Sequence, residues 1–120
     1  MQPKLRDHAT FSYVAQANRD RTEQWMGLNT WSASDWALAT VGELGEVCNI
    51  IKKMKRLADG HPSRRELTMD EYRALIEKEI GDTYVYLDLL AQRLELNMYD
   101  CVAKAFNEVS EREGYSHRLL

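Results

Sequence analysis

A chain of 120 residues with 44% hydrophobic content supports one domain with a real core and leaves no room for two. Its net charge of −3 excludes the broad basic surface that non-specific nucleic-acid binding requires. Met1-Gln2-Pro3-Lys4-Leu5-Arg6 lacks the apolar segment of a signal peptide, and no apolar run reaches membrane-spanning length, so a cytoplasmic protein without membrane contact is expected.

The apolar periodicity is helical throughout, and an all-α, single-domain chain of four helices over residues 1–120 is expected. Thr10 is placed to cap a first helix from Phe11 to about Met26, with Phe11, Val14, Ala15 and Trp25 inward. Gly27-Leu28-Asn29-Thr30 breaks it, and Ser34 is the predicted cap of a second helix, Asp35 to about Leu57. The apolar face of that helix reads Leu38, Val41, Leu44, Cys48, Ile51 and Met54, which makes Cys48, like Cys101, a reduced core residue. After a polar loop over residues 58–65, Thr68 and Glu71 have capping-box spacing and start a third helix. It runs to about Leu94 with Leu75, Ile76, Ile80, Leu87 and Leu90 apolar. Asn97 caps a fourth helix, Met98 to about Glu113, and Gly114 ends it.

Two carboxylate pairs carry the chemistry: Glu43 with Glu46, and Glu79 with Asp82. Each has i,i+3 spacing, so both members project from one side of a helix. Taken singly, either pair would read as a solvated face. Both, however, sit among apolar residues, and Gly42, Gly45 and Gly81 each cost the helix about 1 kcal/mol relative to Ala, which implies close backbone approach. If the helices face each other, four hard oxygen groups converge, and Mg²⁺ or Mn²⁺ is the simplest ion to relieve their repulsion. Along the second helix the polar stripe continues through Asn49 to Lys53 and Arg56, so an anion held at the acidic end would meet cations at the other. Asp82 and Tyr86 continue the stripe on the third helix, with Arg93 further on.

Di-iron chemistry is disfavoured, because His8, His61 and His117 form no Glu-x-x-His motif. No glycine-rich phosphate loop is present, and no Ser or Cys has a base beside it in a recognisable turn. Trp31 leads into the acidic helix and is the candidate base-stacking residue, whereas Trp36 reads as core.

The runs Trp36-Ala37-Leu38-Ala39-Thr40-Val41-Gly42-Glu43-Leu44-Gly45-Glu46 and Glu79-Ile80-Gly81-Asp82-Thr83-Tyr84-Val85-Tyr86-Leu87 resemble the MazG-like all-α nucleoside triphosphate pyrophosphohydrolases. The likeness extends from about Trp31 to Arg112, including the tail from Lys104 to Arg112. It implies hydrolysis of a nucleoside or deoxynucleoside triphosphate to monophosphate and pyrophosphate. It also implies Glu43, Glu46, Glu79 and Asp82 as Mg²⁺ ligands, with Glu46 orienting the attacking water as catalytic residue. Lys53 and Lys104 are expected on the phosphates, and Tyr86, Asn107 and Trp31 on sugar or base. Asn49 stands where some members carry a further acidic residue, which leaves the number of metal ions open. The family likeness and the wide apolar coverage of the second and third helices both point to a homodimer or a tetramer. The alternative is a catalytically silent helical module that binds a nucleotide or a protein.

Overall fold

The computed structural model describes the backbone from residue 3 to residue 120 and the side chains from Thr10 onward. Its regular elements are α1 (Pro3–Trp25), a single 3-10 turn (Leu28–Thr30), α2 (Ala33–Ala58), α3 (Met69–Arg93) and α4 (Met98–Glu113), with no strand among the described residues. No helix among these residues is long and apolar enough to cross a membrane. Met1 and Gln2 of the N-terminal stretch, and the side chain of His8, lie outside the described residues.

The predicted helix ends are met where side chains close them. Thr68 and Glu71 form a reciprocal capping box: Thr68 N–H donates to Glu71 Oε1 at 3.0 Å, and Glu71 N–H donates to Thr68 Oγ1 at 3.1 Å. At α4, Asn97 Oδ1 accepts from the Asp100 N–H, and Gly114 closes the other end in the left-handed region at φ 77°. Thr10 does not cap α1, which continues back to Pro3. The missing N–H and preset φ of proline suit a first helical position, so the run before Thr10 can stay helical. Ser34 lies inside the first turn of α2 rather than before it.

The chain falls into two compact units. One contains the residues up to Ala33 together with Asp88–Leu120. Its apolar core includes Leu28, Leu89, Ala91 and Met98, and Phe11 packs edge-on to Tyr99. A buried polar knot crosses that core. Asp88 is only 1% exposed, and its Oδ2 accepts from Asn18 Nδ2 at 2.9 Å and from Gln92 Nε2 at 2.8 Å. Gln92 Nε2 also reaches the Ala15 carbonyl, so the carboxylate is bound into α1 and α3 at once. The C-terminal segment folds back on α4, where Asn107 donates to the Leu119 carbonyl and accepts from its N–H. Trp25, expected inward, is 59% exposed and meets Trp31 edge-on.

The second unit, Ser34–Leu87, is a hairpin of α2 and the greater part of α3. In α2, Trp36, Thr40, Glu43, Val47, Ile50, Met54 and Leu57 form a buried or half-buried row at alternating spacings of four and three. Tyr72, Ile76, Glu79, Thr83 and Tyr86 repeat the pattern in α3. Both rows have the three-and-four spacing of a coiled-coil seam. The rings of Trp36 and Tyr86 lie 6.1 Å apart, and seven residues along α2 and seven back along α3 Glu43 meets Glu79, so the helices are antiparallel. The connecting loop is tied down by Glu66, which accepts from the Ser63 N–H and from the Tyr72 hydroxyl at the start of α3.

The seam reverses the expected inner face of α2. Leu38, Val41, Leu44 and Ile51 are 71%, 64%, 49% and 51% exposed, and Cys48 is a free, exposed thiol rather than a core residue. On α3, Leu75, Ile80 and Leu87 are also exposed. A row at Leu38, Val41, Leu44, Cys48 and Ile51 competes with one at Trp36, Glu43, Val47 and Ile50, and hydrophobicity alone favours the former. The latter wins inside the chain because Trp36, fully buried, carries the largest apolar area. The expected close approach at the glycines is not found among the described residues either: a Cβ at Gly42, Gly45 or Gly81 would meet none of them within 4 Å beyond its own helix.

Candidate metal centre

Placing a carboxylate on an apolar seam is costly unless something compensates its charge. Here two face each other, Glu43 from α2 and Glu79 from α3, and Asp82, one turn beyond Glu79, completes the group. One oxygen from each of Glu43, Glu79 and Asp82 lies within 4.8 Å of the others, and all three side chains are half-buried.

The electrostatics are those of crowded like charges. The Glu79 carboxylate in hydrogen-bonding contact is the main cause that raises the Glu43 carboxyl above the usual range. Burial and the negative charges of Glu79 and Asp82 add to it, and Lys78 opposes. Glu79 Oε2 is buried and meets no hydrogen-bond donor among the described residues. Among the described residues, relief comes from Lys78. Lys78 Nζ lies 2.7 Å from Asp82 Oδ2 and 3.7 Å from Glu79 Oε1, and these contacts, the Asp82 hydrogen bond foremost, raise the lysine above its ordinary value.

The donor set suits a hard divalent cation: three carboxylates, no sulfur, no imidazole. Oxygens sharing one Mg²⁺ at about 2.1 Å stand roughly 3–4 Å apart, so small side-chain rotations would draw the three together. The orphaned Glu79 Oε2 is the kind of buried acceptor that a bound cation would satisfy. The residues therefore fit the expected ion.

The other expected site residues are placed as follows. Glu46 is outside the three-carboxylate group, one turn along α2 with an exposed side chain. Lys53 is half-buried further along the same helix. Tyr86 belongs to the seam, against Trp36. In the other unit Lys104 is exposed, Trp31 is half-buried with its carbonyl accepting from Arg93 Nε, and both ends of the Asn107 amide are engaged by Leu119. That engagement opposes the expected contact of Asn107 with sugar or base while the tail is docked. Lys78 was not singled out from the sequence. The signal was available, since Lys78 precedes Asp82 by four residues on one helix face.

Two surface grooves are lined by other residues. One of about 720 Å³ is lined by Val102, Phe106, Val109 and Tyr115 among others, and one of about 570 Å³ by Met54, Asp70, Arg73 and Ile80 among others. Neither takes in Glu43, Glu79 or Asp82. The chemistry of the carboxylates is the better guide, because the first groove is almost wholly apolar.

Compared with known proteins, the chain matches no family model, no curated protein and no solved structure.

Proposed function

We propose that this chain is a Mg²⁺-dependent pyrophosphohydrolase of nucleoside or deoxynucleoside triphosphates, with a MazG-like helical bundle working as a homodimer or tetramer in the cytoplasm. The observation that carries the reading is the convergence of Glu43, Glu79 and Asp82 across the α2–α3 seam, with Glu79 Oε2 buried and unpartnered. A folded protein keeps such a charge conflict at its seam when a ligand resolves it.

In this reading Glu43, Glu79 and Asp82 hold the ion, which when bound neutralises triphosphate charge and makes a water a stronger nucleophile. Mn²⁺ has the same oxygen preference and would substitute. Glu46, exposed one turn away, orients the attacking water as general base. Lys53 binds phosphate oxygens as a point charge, and Lys104, of the other unit, is assigned the same role from the sequence alone. Tyr86 contacts the base or sugar, and Trp31 and Asn107, of the other unit, are assigned to the same moiety from the sequence alone.

The direct experiment is incubation of the full chain with each (d)NTP and Mg²⁺, followed by identification of products. Monophosphate plus pyrophosphate from at least one nucleotide is expected. Orthophosphate alone, or no turnover of any nucleotide, would end the assignment. Nucleotide binding without turnover would favour a silent helical binding module instead.

A further inference from the structure

Three carboxylates converge here, and among the described residues the cation in contact with them is the Lys78 ammonium. Lys78 Nζ contacts Asp82 Oδ2 at 2.7 Å and Glu79 Oε1 at 3.7 Å, and the buried Glu79 Oε2 receives nothing. The lysine side chain is 68% exposed, against 17% for Glu79 and 38% for Asp82, so the ammonium reaches in from solvent over the rim of the group. A contact of that kind is weak and exchanges readily. Lysine is also the cation that makes the fewest geometric demands, a compact charge on a flexible stem. The arrangement is that of a placeholder.

Resting on the metal reading above, we propose that Lys78 is a tethered counter-cation that occupies the Glu79–Asp82 end of the cluster in the metal-free protein and is displaced by the incoming divalent ion. While it sits there it quiets the repulsion that would push the two carboxylates apart. It also competes with the metal, because the oxygens it contacts belong to two of the three ligands. Lys78 thus sets the metal concentration at which the site fills.

The test is calorimetric titration of the full chain with Mn²⁺ and no nucleotide, comparing wild type, Lys78→Met and Lys55→Met. Lys55 is the matched control: an exposed lysine that makes the same i,i+4 pair, with Asp59, away from the cluster. Lys78→Met is expected to tighten Mn²⁺ about two- to fivefold, the range that exposed ion pairs support. Lys55→Met should leave it within the error of wild type. In parallel, the Lys78 Nζ resonance should move on addition of Mg²⁺. If Lys78→Met binds Mn²⁺ no more tightly than Lys55→Met, or more weakly, or if the resonance is indifferent to Mg²⁺, the counter-cation role is overturned while the metal site stands. If wild type and both variants fail to bind Mn²⁺, the metal site itself falls, and this inference with it.

Discussion

Glu43 sits in the α2 row between Thr40 and Val47, facing Glu79, and the consequence is measurable without any substrate. Its carboxyl is raised above the ordinary range mainly by the Glu79 contact. The folded protein therefore holds a proton that the unfolded chain releases near pH ~4.3. Stability from this group is complete below that pH and is lost as pH rises through the folded value. In the presence of a chelator, thermal stability should decline as pH rises above ~4.3 through the raised folded value, and Glu43→Gln should flatten that decline. An unchanged pH profile in Glu43→Gln would remove the carboxylate conflict from the account. At the same scale, Asp82→Asn and Glu46→Gln separate two roles. Both should cost turnover about 10²-fold or more, but only Asp82→Asn should weaken Mn²⁺ binding, since Glu46 stands outside the converging group. Equal losses of metal affinity in the two variants would place Glu46 back among the ligands.

At the scale of elements, what was legible in the sequence was local. The Thr68–Glu71 box, the Asn97 cap and the Gly114 stop are each fixed by residues three or four apart, and each stands in the structure as read. The carboxylate pairs were legible for the same reason, and three of their four members do come together. What failed was the choice of face. Leu38, Val41 and Leu44 make a better hydrophobic row than one interrupted by Thr40 and Glu43, and only long-range packing of Trp36 against Tyr86 decides between them. The docked tail was equally invisible, because Asn107 and Leu119 meet across twelve residues without periodicity. Two substitutions probe these elements. Thr68→Ala should cost about 1 kcal/mol, lowering the melting temperature by ~4 °C. Asn107→Ala removes both hydrogen bonds to Leu119, so amide exchange at Leu119 should accelerate sharply while α4 stays protected. Retained protection at Leu119 would show that other contacts dock the tail.

For the whole molecule, the decisive feature is the apolar surface that a single chain leaves wet. In the Ser34–Leu87 unit, Leu38, Val41, Leu44 and Ile51 lie on one side of α2, each about half or more exposed, with nothing near the Cβ positions of Gly42 and Gly45 among them. Those glycines cost helix stability without a neighbour among the described residues to justify them, and a helix from a second copy would supply one. Contiguous apolar side chains on this scale are unusual on a monomer and ordinary at a homo-oligomer interface. On these grounds the chain should behave as a dimer or tetramer at micromolar concentration, as seen by light scattering. Val41→Glu places a charge at the centre of that row without touching Glu43, Glu79 or Asp82. It should shift the chain toward monomer while Mn²⁺ still binds, and turnover should fall if the nucleotide pocket is completed by a neighbour. Wild type that is monomeric and fully active would dispose of the shared pocket. An undiminished assembly in Val41→Glu would move the interface to another face, with the exposed Val102, Phe106 and Val109 of α4 the next to be tested.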